Sequence, residues 1–69
     1  MSLKSKIEEI IEIPIDSIKP EDKLLGLVDS IKLVQLAGVI EEHTGLEIHE
    51  GTIYMINGKW LRKILDKYN

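Results

Sequence analysis

The chain contains no cysteine, so neither disulfides nor thiolate metal sites can brace it, and any thioester chemistry needs a thiol supplied from outside. It has no apolar run long enough to cross a bilayer, and its opening, Met1-Ser2-Leu3-Lys4-Ser5-Lys6, lacks the apolar core of a secretory signal. These two absences lead to the expectation of a soluble cytoplasmic protein. A first helix that starts almost directly after Met1 points to a free-standing one. A basic excess is also missing: 12 acidic residues stand against 9 basic ones, which gives no encouragement to nucleic-acid binding. A DNA reader built on the basic last helix is therefore a poor third choice. Aromatic side chains are few and phenylalanine is absent, leaving isoleucine, leucine and valine to fill the core. At 69 residues the chain is expected to form one domain, residues 1–69, burying only about 60% of its unfolded surface. With no Ser–His–acid spacing and little room for a pocket, catalysis by the chain itself is not expected.

Hydrophobic periodicity predicts helices. The first runs from about Ser2 to Glu12, with Leu3, Ile7, Ile10 and Ile11 on its buried stripe, and Pro14 stops it. A long connection follows, Ile13 to Val28, in which Ile15, Ile18, Leu24, Leu25 and Leu27 can anchor the chain onto the helices. The second helix occupies about Ser30 to Thr44, its stripe being Leu33, Leu36, Ala37 and Ile40, and Gly45 closes it. After the extended exit Leu46-Glu47-Ile48, a brief third helix is predicted over Thr52–Ile56, capped by Thr52 and stopped by Asn57-Gly58. The last helix runs from about Lys59 to Tyr68 on Leu61, Ile64, Leu65 and Tyr68. The expected fold is an all-α bundle of three longer helices and one short one.

The most informative position is Ser30. Asp29 before it is a good N-cap, because its carboxylate can accept the first unpaired helix amides. That leaves the Ser30 hydroxyl in the first turn, near the positive end of the helix dipole, where a phosphoester would be stabilised. Serine also favours helix starts for purely local reasons, so the residue alone fits two readings.

The flanking residues separate them. Asp22-Lys23-Leu24-Leu25-Gly26-Leu27-Val28-Asp29-Ser30-Ile31, followed by Glu41-Glu42-His43-Thr44-Gly45-Leu46-Glu47-Ile48, resembles the acyl carrier proteins and peptidyl carrier domains. In that family an Asp-Ser-Leu-like triplet opens the second helix, and an acidic pair and a turn close it. Ile13-Pro14-Ile15-Asp16-Ser17-Ile18-Lys19-Pro20-Glu21-Asp22 looks like the family's first loop. Three features differ from the family pattern. Leu27 stands where a glycine is usual, with Gly26 one place earlier; the loop before Asp29 is about one residue shorter; and Lys32 and Gln35 occupy positions that are acidic in many fatty-acid carriers. The resemblance implies that Ser30 receives 4'-phosphopantetheine from coenzyme A, and that the arm's thiol carries an acyl or aminoacyl group. It implies a supporting role for Asp29 in positioning the transferase's metal-bound coenzyme A. The implied partners are a phosphopantetheinyl transferase, a loading ligase, and a downstream synthase or transferase. The alternative is a small helical interaction module that never acquires an arm.

On the second helix, Ile31, Gln35, Gly38 and Glu42 lie opposite the core stripe, with Val39 near the edge of that face. Ile31, Lys32, Gln35, Val39 and Glu42 are the candidate partner-binding residues. Residues 29–50 carry Asp29, Glu41, Glu42, Glu47 and Glu50 against Lys32 alone, and this acidity leads one to expect partners with basic docking surfaces. Residues 51–69 reverse the sign, with Lys59, Arg62, Lys63 and Lys67 against Asp66; these are read as a solvated helix face. His43 and His49 are spaced wrongly for two metal ligands on one helix face. Tyr54, Met55 and Trp60 are read first as rim packing; the other reading puts Tyr54 and Met55 in a groove between the second and third helices, where the arm or its cargo lies.

Overall fold

The computed structural model describes residues 2–68; Met1, read above as the start of a free-standing chain, lies outside them. Four α-helices follow one another: α1 (Leu3–Ile11), α2 (Ser30–Thr44), the short α3 (Glu50–Ile53) and α4 (Gly58–Tyr68). Two 3-10 turns, Ile15–Ser17 and Leu24–Gly26, lie in the connection between α1 and α2. The result is a small all-α bundle of three longer helices and one short one, and among the described residues no helix is long and apolar enough to cross a membrane.

Each helix begins on a side chain that accepts an otherwise orphaned amide, α3 excepted. Ser2 sits just outside α1 and its Oγ accepts the Ser5 N–H at 3.1 Å, which makes it the cap rather than the first helical residue. Leu3, Ile7 and Ile11 are fully buried on α1, while Ile10 is only partly so. The helix stops one residue earlier than the pattern suggests. Glu12 turns left-handed, at φ 59°, and returns its N–H to the Glu8 carbonyl at 2.8 Å. On α2, Leu33, Leu36, Ala37 and Ile40 are all buried, as their spacing predicts, and each leucine or isoleucine contributes about 1.5–3 kcal/mol by leaving water.

The long connection is fastened to α1 and α4, which is why it can be long without being loose. Ile15, Ile18 and Leu24 are buried in the core. The Ile15 N–H donates to the Glu8 carboxylate at 2.8 Å, and the Arg62 guanidinium donates to the Ile18 carbonyl. Leu25 and Leu27, expected as further anchors, are instead each nearly half exposed. In the tight turn Leu24 points into the core and the next residue, Leu25, points out of it.

The α3–α4 junction also departs from expectation. The third helix covers Glu50–Ile53, earlier than Thr52–Ile56, and His49 caps it without a side-chain bond. Asn57 and Gly58 do not stop α3. The Asn57 Oδ1 accepts the Trp60 N–H at 2.8 Å and so caps α4, and Gly58 is the first residue of α4. The reason is a close approach. A Cβ on Gly58 would lie 2.2 Å from the Lys19 carbonyl oxygen, so only glycine lets the connection cross here. The freed α4 amides are used at once: Gly58 N–H donates to Asp22 O at 3.1 Å and Lys59 N–H to Pro20 O at 3.0 Å. Leu24 N–H to Ile56 O, at 3.0 Å, completes the seam.

Candidate functional site

The start of α2 is set by Asp29. Its backbone is extended (φ −77°, ψ 168°) and its carboxylate accepts the Lys32 N–H at 2.9 Å, while its carbonyl accepts the Leu33 N–H at 3.2 Å. The cap therefore consumes the third and fourth amides of the helix. Those of Ser30 and Ile31 donate to no acceptor among the described residues. Ser30 is exposed, and nothing among the described residues hydrogen-bonds its hydroxyl. A hydroxyl so placed has solvent in front of it, unpaired N–H groups beside it and the positive end of α2 behind it. The helix dipole and the free first-turn amides are the features that favour an anion at such a position.

Around Ser30 the surface is apolar. Ile31 is 69% exposed and Val34, one turn on, is 52% exposed. The turn carrying Leu25, and Leu27 just after it, packs beside α2, which adds two further half-exposed leucines in the segment leading to the serine. Val34, Leu25 and Leu27 were not among the sequence candidates. Val34 was detectable, since i and i+3 positions on a helix are neighbours and Ile31 was already singled out.

Of the other candidate partner residues, Gln35 and Glu42 are exposed like Ile31, with Gln35 one turn along the same face. Lys32, Gln35 and Val39 line a groove against α1 together with Lys6, Glu9, Ile10 and Glu12. Glu42 lines a second depression with Lys6, Val39 and His43. Val39 is partly buried and packs on the core. Lys32 is committed within the chain: its Nζ donates to the Glu12 carboxylate at 2.9 Å. That hydrogen bond, reinforced by the ammonium charge, holds the Glu12 carboxyl below the usual carboxylate range.

Charge is unevenly placed along α2. From Leu24 to Ile40 the only charged residues are Asp29 and Lys32, one used as a cap and the other paired with Glu12. The acids that made residues 29–50 negative, Glu41, Glu42, Glu47 and Glu50, begin in the last turn of α2, about 17 Å along its axis at about 1.5 Å per residue. Glu41 is itself used there, its carboxylate accepting the Ile48 N–H at 2.9 Å. Net charge over a window hid a neutral end and an acidic end.

Tyr54 and Met55 are exposed beyond α3. Met55 lines a shallow groove with Asn57, Lys59, Trp60 and Lys63, on the α4 side. His43 and His49 are exposed, and no cluster of metal-binding side chains occurs among the described residues.

The family model for the phosphopantetheine attachment site matches residues 2–58, from the cap of α1 to the first residue of α4. Comparison with curated proteins and with solved structures gave no match. Members of the matched family hold 4'-phosphopantetheine covalently and act as carriers in biosynthesis; such carrier domains are generally not enzymes themselves.

Proposed function

The chain belongs to the phosphopantetheine-attachment family, and on that premise we propose that it is an acyl or aminoacyl carrier whose arm is attached at Ser30. The observation that supports this most is the exposed, unpartnered Ser30 hydroxyl at the electropositive start of α2. In the attachment reaction the Ser30 Oγ forms a bond to phosphorus and the pyrophosphate bond of coenzyme A breaks. Adenosine bisphosphate leaves, and the hydroxyl proton passes to a base on the transferase. The free Ser30 and Ile31 amides would serve to hold the phosphate, and the helix dipole would favour its charge. When bound, the group supplies the thiol that this cysteine-free chain lacks.

The protein's own contribution is placement. Tethering turns a dilute acyl thioester into a near-intramolecular reactant for each enzyme that docks, and a capped, rigid helix start fixes where the tether begins. Asp29 serves as the cap and supports the transferase's approach. Ile31 contacts partners directly, with Gln35 and Glu42 on the outward face behind it; Lys32 and Val39 contribute from the α1 side. The partners are the phosphopantetheinyl transferase, a loading ligase and a downstream synthase or transferase.

Incubation with coenzyme A and several broad-range phosphopantetheinyl transferases tests the proposal by intact mass. One phosphopantetheine is expected on the wild type and none on Ser30→Ala. A wild type left unmodified by all of them counts against it.

A further inference from the structure

An enzyme that modifies Ser30 must bring coenzyme A to its hydroxyl, so its footprint unavoidably covers the residues around that hydroxyl. A specific interface removes about 800 Å² from each partner, enough to span the first turns of α2 and the adjoining leucine turn. The footprint over this region meets Leu25, Leu27, Ile31 and Val34 as exposed side chains. Charges are few there: Asp29 and Lys32 at the start of α2 and Lys23 just before the leucine turn. The Asp29 carboxylate accepts the Lys32 amide and Lys32 pairs with Glu12, and Glu41 and Glu42 stand in the last turn of α2.

We infer that the transferase acting on Ser30 reads this chain through an apolar, uncharged surface laid on Leu27, Ile31 and Val34, and not through a basic patch. The inference rests on the Ser30 reading and adds the chemistry of the partner to it. Burial of these aliphatic side chains favours the complex by removing apolar area from water, and that contribution is not screened by salt, whereas attraction between opposite charges is. The chain thus trades long-range steering, which raises association rates by about 10- to 1,000-fold where it operates, for short-range contact that is indifferent to ionic strength.

The test is kinetic, on the full chain in its unmodified form, with the KM for the protein followed by mass spectrometry. For the wild type, KM is expected to change by less than about twofold between about 50 mM and about 500 mM sodium chloride. The double variant Ile31→Ser/Val34→Ser, altered only at exposed positions, is expected to raise KM by at least about tenfold, as loss of two aliphatic contacts implies. Glu47→Gln/Glu50→Gln is expected to leave KM unchanged. A steep rise of KM with salt, a loss in the glutamate variant, or an unaltered KM in the Ile31/Val34 variant overturns the inference while leaving Ser30 as the attachment point. A wild type that no transferase modifies overturns both. The salt series requires no substitution, so the result does not depend on how any variant folds.

Discussion

The two ends of α2 are built to opposite specifications. At its first end, two backbone amides and a serine hydroxyl have no partner among the described residues, and the neighbouring side chains are apolar and exposed. At its last end several groups are tied. Gly45 turns left-handed, at φ 77°, and returns its N–H to Glu41 O at 2.8 Å. The Thr44 hydroxyl donates to Ile40 O at 2.6 Å and accepts the Leu46 N–H at 3.1 Å, and the Glu41 carboxylate receives the Ile48 N–H. One helix thus has a closed end that holds the bundle and an open end that others can use. Stability is expected to reside at the first of these and chemistry at the second.

Substitutions along α2 sharpen that contrast. The largest loss is expected at Ile40, which is fully buried in the closing turns. Ile40→Ala should cost about 2–5 kcal/mol in urea denaturation, a large share of the about 3–10 kcal/mol available to a domain of this size. Next is Gly45→Ala, which has open space for its Cβ yet must hold a positive φ; the backbone alone should cost about 1–2 kcal/mol. At the open end, Asp29→Ala loses the cap and about 1 kcal/mol. Asp29→Asn keeps an acceptor and should melt like the wild type, but it is expected to be modified more slowly by the transferase. A stability loss at Asp29 larger than at Ile40 would undo the division of labour between the ends.

The smallest effect is electrostatic. The Glu12 carboxyl is held below its ordinary range by the Lys32 hydrogen bond and charge. A depressed folded-state value contributes stability that is present above the unfolded value and is lost as pH falls through the folded one. Thermal melts of the wild type should therefore weaken in that acidic window, and Lys32→Gln should remove the Glu12 part of the acid dependence. Carbon-detected NMR titration of the Glu12 carboxyl, with its midpoint moving up in Lys32→Gln, reads the same coupling at its source.

Local grammar was enough to find the start of α2 and its buried stripe, because a capping aspartate and a 3.6-residue period are properties of the segment itself. It was enough for Ser30 too, since exposure follows from being outside the stripe. The α3–α4 junction was not legible in this way. Four residues of α3 carry too little periodicity to fix a register, and Gly58 opens α4 because the Lys19 carbonyl of a distant segment presses on it. Leu25 and Leu27 read as anchors because apolar residues in a loop usually find a core; here the core was already filled by Leu24. The acidity assigned to the site came from summing charge over a window, when what matters is where along the helix each carboxylate sits and what it already holds.

Tryptic digestion offers the most direct test, because cleavage after Lys23 and Lys32 releases Leu24–Lys32, in which Ser30 is the only hydroxyl-bearing residue. In protein purified from its own host, this peptide is predicted to carry the phosphopantetheine mass, with any cargo on top of it. If the peptide is bare while another carries the arm, or if none does, the open end of α2 is not the attachment point.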